Sequence, residues 1–213
     1  MMIQDPVIYA FTFILGACFG SFLNVVIYRV PKKMSVIKPA SHCFSCKKSI
    51  PLRDNIPILG YFLLSGKCRN CNAEFPSRYA FVELITAILS VTLYVIYGLK
   101  DEFFIHLVLT YLLVAITFVD IDHFIIPNGF VLFGLLLLFA GLALDWISID
   151  WQDAASGAFV FAGFLFGIGL LGQFILKKES IGFGDVKLGL VLGGFLGVEY
   201  SILALFIPCI ILK

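Results

Sequence analysis

The chain has 213 residues, 61% of them hydrophobic and 14% charged, with a formal net charge of +1. That composition excludes an ordinary soluble domain and a disordered segment, because several apolar runs reach the roughly 20 residues that span a bilayer. The basic residues are spread by topology rather than gathered into a groove, so no nucleic-acid partner is expected.

The first apolar run, Val7 to Tyr28, follows Gln4-Asp5-Pro6 and precedes Arg29, Lys32 and Lys33. Without a basic region ahead of it, it reads as a retained span rather than a cleaved signal peptide. The positive-inside rule then places the N-terminus outside. Residues 1–28 are therefore taken as a first transmembrane helix. From 29 to 78 the composition changes: ten of the fifteen Lys and Arg residues fall here, with four Cys and five of the eight Pro. This segment reads as a small cytoplasmic domain.

Residues 79–213 form the remaining membrane core, with apolar stretches at Tyr79 to Tyr97, Phe103 to Val119, Ile126 to Leu144, Ala154 to Leu176 and Leu188 to Leu212. Six spans in all put Lys100-Asp101-Glu102 and Asp145 to Asp153 outside, and Asp120 to Ile125 and Lys177 to Lys187 inside. Charge agrees with parity, since the second outer loop has three Asp and no Lys or Arg while the inner loop has Lys177, Lys178 and Lys187. Lys100 alone runs against it. The Gly-rich runs 157–172 and 182–197 offer small residues for close helix packing.

Cys43-Phe44-Ser45-Cys46 and Cys68-Arg69-Asn70-Cys71, with twenty-one residues between them, have the pattern of a four-thiolate zinc site. A domain of about fifty residues with little apolar core needs such a staple. Two disulfides or a redox pair are the competing readings, disfavoured in a reducing compartment. Four thiolates leave no position for water, so the zinc is expected to be structural. Cys18 and Cys209 lie in spans and read as packing residues.

Asp120 and Asp185 stand at span edges on the expected inner side, where ionisable residues are functional candidates by default. Two carboxylates that share one proton can split roles, one drawing a proton from water and the other donating to a scissile carbonyl. Gly182 and Gly184 beside Asp185 allow close backbone approach. Helix capping is the plainer reading of both aspartates. Asp122 and His123 are rival acid, base or ligand candidates in the same stretch as Asp120. Lys187 is expected to snorkel, and His42 and His106 to be ordinary surface or interface residues. Glu83, just inside the second span, could pair with Arg78 or Arg29, or contact a substrate amine.

Taken in order, Gly20-Ser21-Phe22-Leu23-Asn24-Val25-Val26-Ile27-Tyr28-Arg29, the two cysteine pairs with Gly66-Lys67, Ser77-Arg78-Tyr79 to Glu83, Asp120 to Pro127 and Gly182-Phe183-Gly184-Asp185-Val186-Lys187-Leu188 resemble the type IV prepilin peptidases. These are membrane aspartic proteases of the Gly-x-Gly-Asp class, and the resemblance runs over essentially the whole chain. It implies an all-α polytopic membrane protein with a small zinc-ribbon-like domain, and about eight helices against the six counted here, so that the chain would be a truncated or a short member. It implies Asp120 and Asp185 as the catalytic pair, with Asp122 a neighbour. It also implies prepilin or pseudopilin precursors as substrates, cut behind a basic leader at the cytoplasmic face of the inner membrane. With the two cysteine pairs present, it implies N-methylation of the new terminus by S-adenosylmethionine, at residues that the sequence leaves unknown. Peptidase activity alone, a cation carrier using the aspartates, and a structural subunit of a secretion apparatus remain as alternatives, and a homodimer is left open.

Overall fold

The structure, a computed structural model, describes residues 6–176 and 182–211. The expected flank Gln4-Asp5, the inner-loop charges Lys177 and Lys178 and the Cys209 side chain lie outside the described residues. The fold is all-helical: α1 (Pro6–Arg29), α2 (Leu59–Leu63), α3 (Arg78–Tyr97), α4 (Asp101–His123), α5 (Asn128–Ala143), α6 (Trp151–Leu176) and α7 (Phe183–Ile211), with one 3-10 turn at Leu52–Asp54. Among the described residues, α1, α3, α4, α6 and α7 are long and apolar enough to cross a membrane. The chain is thus a multi-pass membrane protein. The fourth expected span, Ile126 to Leu144, is present as α5 but shorter than anticipated. It starts only after Pro127 and has 16 residues, about 24 Å of helix.

Two compact units divide the chain, residues 1–123 and 124–213. In the first, α1 and α3 meet through Gly16 and Gly20, one turn apart on α1. A Cβ at Gly20 would come within 2.7 Å of the Glu83 Cα, and one at Gly16 within 2.5 Å of the Ser90 Oγ. Small residues let the helix backbones approach where no hydrophobic driving force separates helix from lipid. The polar groups that this contact buries are satisfied along α3: Thr86 donates to the Val82 carbonyl at 2.7 Å, and Ser90 to the Thr86 carbonyl at 2.7 Å. The Ser90 and Tyr111 hydroxyls, 2.9 Å apart, tie α3 to α4. Gly98, at φ 66°, closes α3 with its N–H on the Tyr94 carbonyl and turns the chain into α4.

In the second unit, α6 and α7 pack even more closely. A Cβ at Gly157 would meet the backbone of Gly193 and Gly197, and one at Gly193 would come within 2.9 Å of the Ala158 Cα. The expectation that these Gly-rich runs serve helix packing is met at Gly157, Gly189, Gly193 and Gly194, but not at Gly163 and Gly167, which face open space. Gly197 also interrupts α7, with φ 68° and ψ −178°. The carboxylate of Asp153 at the start of α6 accepts the N–H of Val198 at 3.1 Å and so caps the restarted helix.

Candidate metal centre and acidic site

The cysteine region, between α1 and α3, is built from two equivalent turns. In the first, the Cys43 N–H donates to the Lys48 carbonyl at 2.9 Å and Lys47 N–H returns to the Cys43 carbonyl at 2.9 Å. In the second, the Cys68 N–H donates to Ala73 at 2.8 Å and Asn72 N–H to Cys68 at 2.9 Å. Lys47 and Asn72, each placed four residues after the first cysteine of its turn, share a left-handed backbone at φ 59° and 55°. One isolated β-bridge underlies each turn, His42 with Ser49 and Lys67 with Glu74.

All four cysteines carry free thiols, and their sulfurs lie within 4.8 Å of one another. Cys43 Sγ is 3.7 Å from Cys71 Sγ and Cys46 Sγ 4.0 Å from Cys68 Sγ. A tetrahedron with metal–sulfur bonds of about 2.3 Å has edges of about 3.8 Å, so the cluster fits one ion with little adjustment. Its electrostatics point the same way. The Cys46 backbone N–H, aided by that of Ser45, lowers the Cys43 thiol to about 6. Cys71 has a backbone bond from Ala73 that favours its thiolate, yet burial and the neighbouring thiols Cys68, Cys43 and Cys46 push it up to about 11. One thiolate forms readily and the last resists, as expected of four sulfurs lacking a shared cation.

This region is bound to the membrane helices at several points. Phe44, inside the first cysteine turn, packs on Tyr28 of α1 at 5.2 Å between ring centres. Arg29, buried at the end of α1, donates to the Ser35 carbonyl at 3.0 Å and the Pro39 carbonyl at 2.7 Å. Glu83 of α3 accepts the Ile58 N–H at 2.6 Å. Neither Arg78 nor Arg29 pairs with Glu83, contrary to one option that the sequence left open. Arg69 of the second cysteine turn forms a two-pronged bond with Asp54, at 2.8 and 2.6 Å, and that guanidinium holds the Asp54 carboxyl below its usual range.

The acidic residues do not lie in a loop. α4 runs through Asp120 and Asp122 to His123, and the chain turns only at Phe124, φ 52°. On a helix, residues two apart point about 200° away from each other. Asp122 turns toward the start of α3, where both of its oxygens bond the Arg78 guanidinium; Arg78 also lies over the Phe118 ring at 5.8 Å. The side chain of Asp120, on the other side, has no hydrogen bond or ion pair among the described residues. His123 ends the helix.

Asp185 belongs to the second unit and has its own neighbours. It sits in the first turn of α7, where the helix dipole favours a carboxylate. Its N–H donates to the Gly182 carbonyl at 3.0 Å. A Cβ at Gly182 would come within 3.2 Å of its carboxylate, and one at Gly184 within 3.2 Å of the Ile126 side chain. Lys187 does more than snorkel: its Nζ donates to the Asn128 Oδ1 at 2.9 Å and lies 4.7 Å over the Phe183 ring. His42 bonds the Ala40 carbonyl and His106 that of Glu102, consistent with ordinary roles.

Two family profiles cover the chain in succession: the Bacterial Peptidase A24 N-terminal domain matches residues 14–97, and the Type IV leader peptidase family matches residues 107–212. Curated relatives agree over nearly the full length. A prepilin leader peptidase/N-methyltransferase of Myxococcus xanthus is 39% identical over 194 residues, 90% of this chain and 57% of that protein. The chain belongs to the type IV leader peptidase family. The prepilin leader peptidase/N-methyltransferase of Pseudomonas aeruginosa is 32% identical over 225 residues, 94% of this chain and 77% of that protein. A type 4 prepilin-like proteins leader peptide-processing enzyme of Escherichia coli is 33% identical over 205 residues, 85% of this chain and 74% of that one. No solved structure matches.

Proposed function

We propose that this family member is a membrane aspartic endopeptidase that removes the basic leader of prepilins or pseudopilins at the cytoplasmic face of the inner membrane, and that it methylates the new N-terminus with S-adenosylmethionine. Asp120 and Asp185 serve as the carboxylate pair. One, ionised, takes a proton from the attacking water while the other, protonated, donates to the scissile carbonyl; as the gem-diol collapses, the first passes its proton to the departing amine and the second recovers its own from the hydroxyl. The observation that carries this assignment is the Arg78–Asp122 ion pair. It occupies the second carboxylate of the Asp-x-Asp segment, while the Asp120 side chain has no partner among the described residues. Gly182 carries no side chain to crowd the Asp185 carboxylate, and Gly184 makes room for the Ile126 side chain beside it.

We take residues 1–28 as the first membrane helix, 29–78 as a cytoplasmic domain and 79–213 as the membrane core. Cys43, Cys46, Cys68 and Cys71 hold a structural zinc, which supplies rigidity rather than a reactive water. When bound, S-adenosylmethionine supplies the methyl group.

The test is leader cleavage by the purified protein in proteoliposomes. Asp120→Asn and Asp185→Asn should each lower the cleavage rate by roughly 10²–10⁴-fold, the scale of general acid–base catalysis, while Asp122→Asn retains measurable cleavage. Normal cleavage by either of the first two variants refutes the pair.

A further inference from the structure

Exposed apolar side chains are expected on membrane-crossing helices, where lipid covers them, but a cluster of them in a water-facing region marks an interaction surface. On two adjoining turns of the cysteine region, Leu52 is 88% exposed, Leu59 59%, Phe62 67% and Leu63 76%. Leu59, Phe62 and Leu63 are spaced i, i+3, i+4, so they share one face of α2. Gly60, Tyr61 and Leu64, on the other side, line the cavity between α2 and the helices α1 and α3. Leu52 belongs to the 3-10 turn on which α2 packs, since a Cβ at Gly60 would meet the Asp54 carbonyl oxygen.

The level of this face is set by a strained turn. The Leu59 N–H closes on the Pro57 carbonyl at 2.6 Å, with Ile58 between them at φ 63° and ψ −59°, a conformation costly for a β-branched residue. The Ile58 N–H, donated to the Glu83 carboxylate at 2.6 Å, holds it there. Glu83 lies five residues beyond Arg78, where α3 begins, which is about 7.5 Å along the helix. Segments that lie in the plane of a membrane bury their apolar side roughly 5–10 Å into the boundary between headgroups and acyl chains. The turn that opens α2 is fastened at that depth.

We propose that the face formed by Leu52, Leu59, Phe62 and Leu63 lies in the bilayer interface, with phospholipid as its partner. It is continuous with a surface already in lipid, because the cysteine region is mounted on α1 and α3, two of the membrane-crossing helices. Charge agrees: Lys32 and Lys33 after α1, Arg53 beside Leu52 and Lys67 behind α2 are all exposed, and cations so placed meet phosphate groups. The cysteine region is then held from three sides, by α1, by α3 and by lipid.

The test is depth-dependent quenching in the full chain. Trp146 and Trp151, its two tryptophans, are replaced by Phe, and Leu63→Trp supplies a single probe. The protein is reconstituted at one chain per nanodisc of phosphatidylethanolamine and phosphatidylglycerol, with or without bromine on the acyl chains. At the depth of an interfacial segment, bromine should quench Leu63→Trp roughly twofold, with its emission shifted to the blue. Asn70→Trp, on the second cysteine turn, should stay unquenched. Phe62→Trp, on the same face as Leu63, is the second probe, and melting temperature reports which variants have folded. Unquenched, red emission from the folded probes overturns the proposal, because the face is then open to water. Blue emission without quenching overturns it as well, since another part of the chain then covers the face; if that signal needs two chains in one disc, the occupant is a second copy.

Discussion

The cysteine region and the α6–α7 helix pair are both held together without a conventional hydrophobic core, by opposite means. Between Arg29 and Arg78, order comes from a few strong, specific links: four converging sulfurs, the Arg69–Asp54 fork and the Arg29 bonds to two carbonyls. In α6 and α7, order comes from the absence of side chains, with Gly157 and Gly193 letting two backbones touch. The difference follows from the surroundings. In water a fifty-residue segment buries too little apolar area to offset its chain entropy, so it needs cross-links. In lipid, exposure of apolar residues carries no penalty, and helices gain from close contact alone.

Metal removal separates the two regions most sharply. Stripping the proposed zinc with a chelator, or changing Cys46→Ser, should unfold the cysteine region. Structural zinc sites supply on the order of 10 kcal/mol of folding free energy, more than most domains hold in reserve. Limited trypsin digestion should then cut at Lys47, Lys48 and Lys67, while the helical circular dichroism from the membrane segments changes little. An unaltered digestion pattern after verified metal loss would break the contrast.

A second substitution works in the opposite direction. Gly193→Val places a branched side chain where a Cβ alone already falls within 2.9 Å of a neighbouring backbone atom. Overpacking of this kind costs roughly 1–3 kcal/mol or more, so the melting temperature in detergent should fall by several degrees while trypsin protection of the cysteine region stays as in wild type. A variant as stable as the parent would mean that the helix pair opens without penalty.

The two regions also differ in how far their sequences announced them. Apolar runs located all six long or medium helices, and the cysteine spacing located the cluster, since both signals are local. The helix α4 runs past its expected end, because acidic residues at a membrane edge resemble a loop. Nothing between Asp120 and Ile126 breaks a helix, and the chain needed only Phe124 in a left-handed conformation before Pro127. Two further features were hidden for the opposite reason, that they depend on distant partners. The Gly16–Gly20 contact becomes visible only when α3 presents Glu83 and Ser90 to it, and Glu83 gave no hint that its partner was the Ile58 N–H, an uncharged group twenty-five residues away. Arg78 was likewise read toward Glu83 on its own helix, whereas its partner Asp122 lies at the far end of α4, brought alongside by the α3–α4 hairpin.

The smallest effect belongs to the Asp54–Arg69 pair, which ties the second cysteine turn to the Leu52–Asp54 turn. Arg69 is half exposed while the Asp54 side chain is buried, so the pair is screened from the Arg69 side only. Asp54→Asn, which keeps the shape and one acceptor for Arg69, should speed metal transfer to a chelator by about fivefold at pH 7. The sign of the pH dependence follows from the lowered Asp54 carboxyl. A carboxylate whose folded pKa lies below its unfolded value of about 3.9 contributes in full above that value, and loses its contribution only as pH falls through the folded one. The ratio of variant to wild-type transfer rates should therefore stay flat from pH 7 to pH 5, although both rates rise as the thiolates take up protons. Added salt should shrink the ratio toward one. A ratio that decays between pH 7 and pH 5 would place the titration of Asp54 too high for a carboxylate held by Arg69, and the cysteine region would then depend on its sulfurs alone.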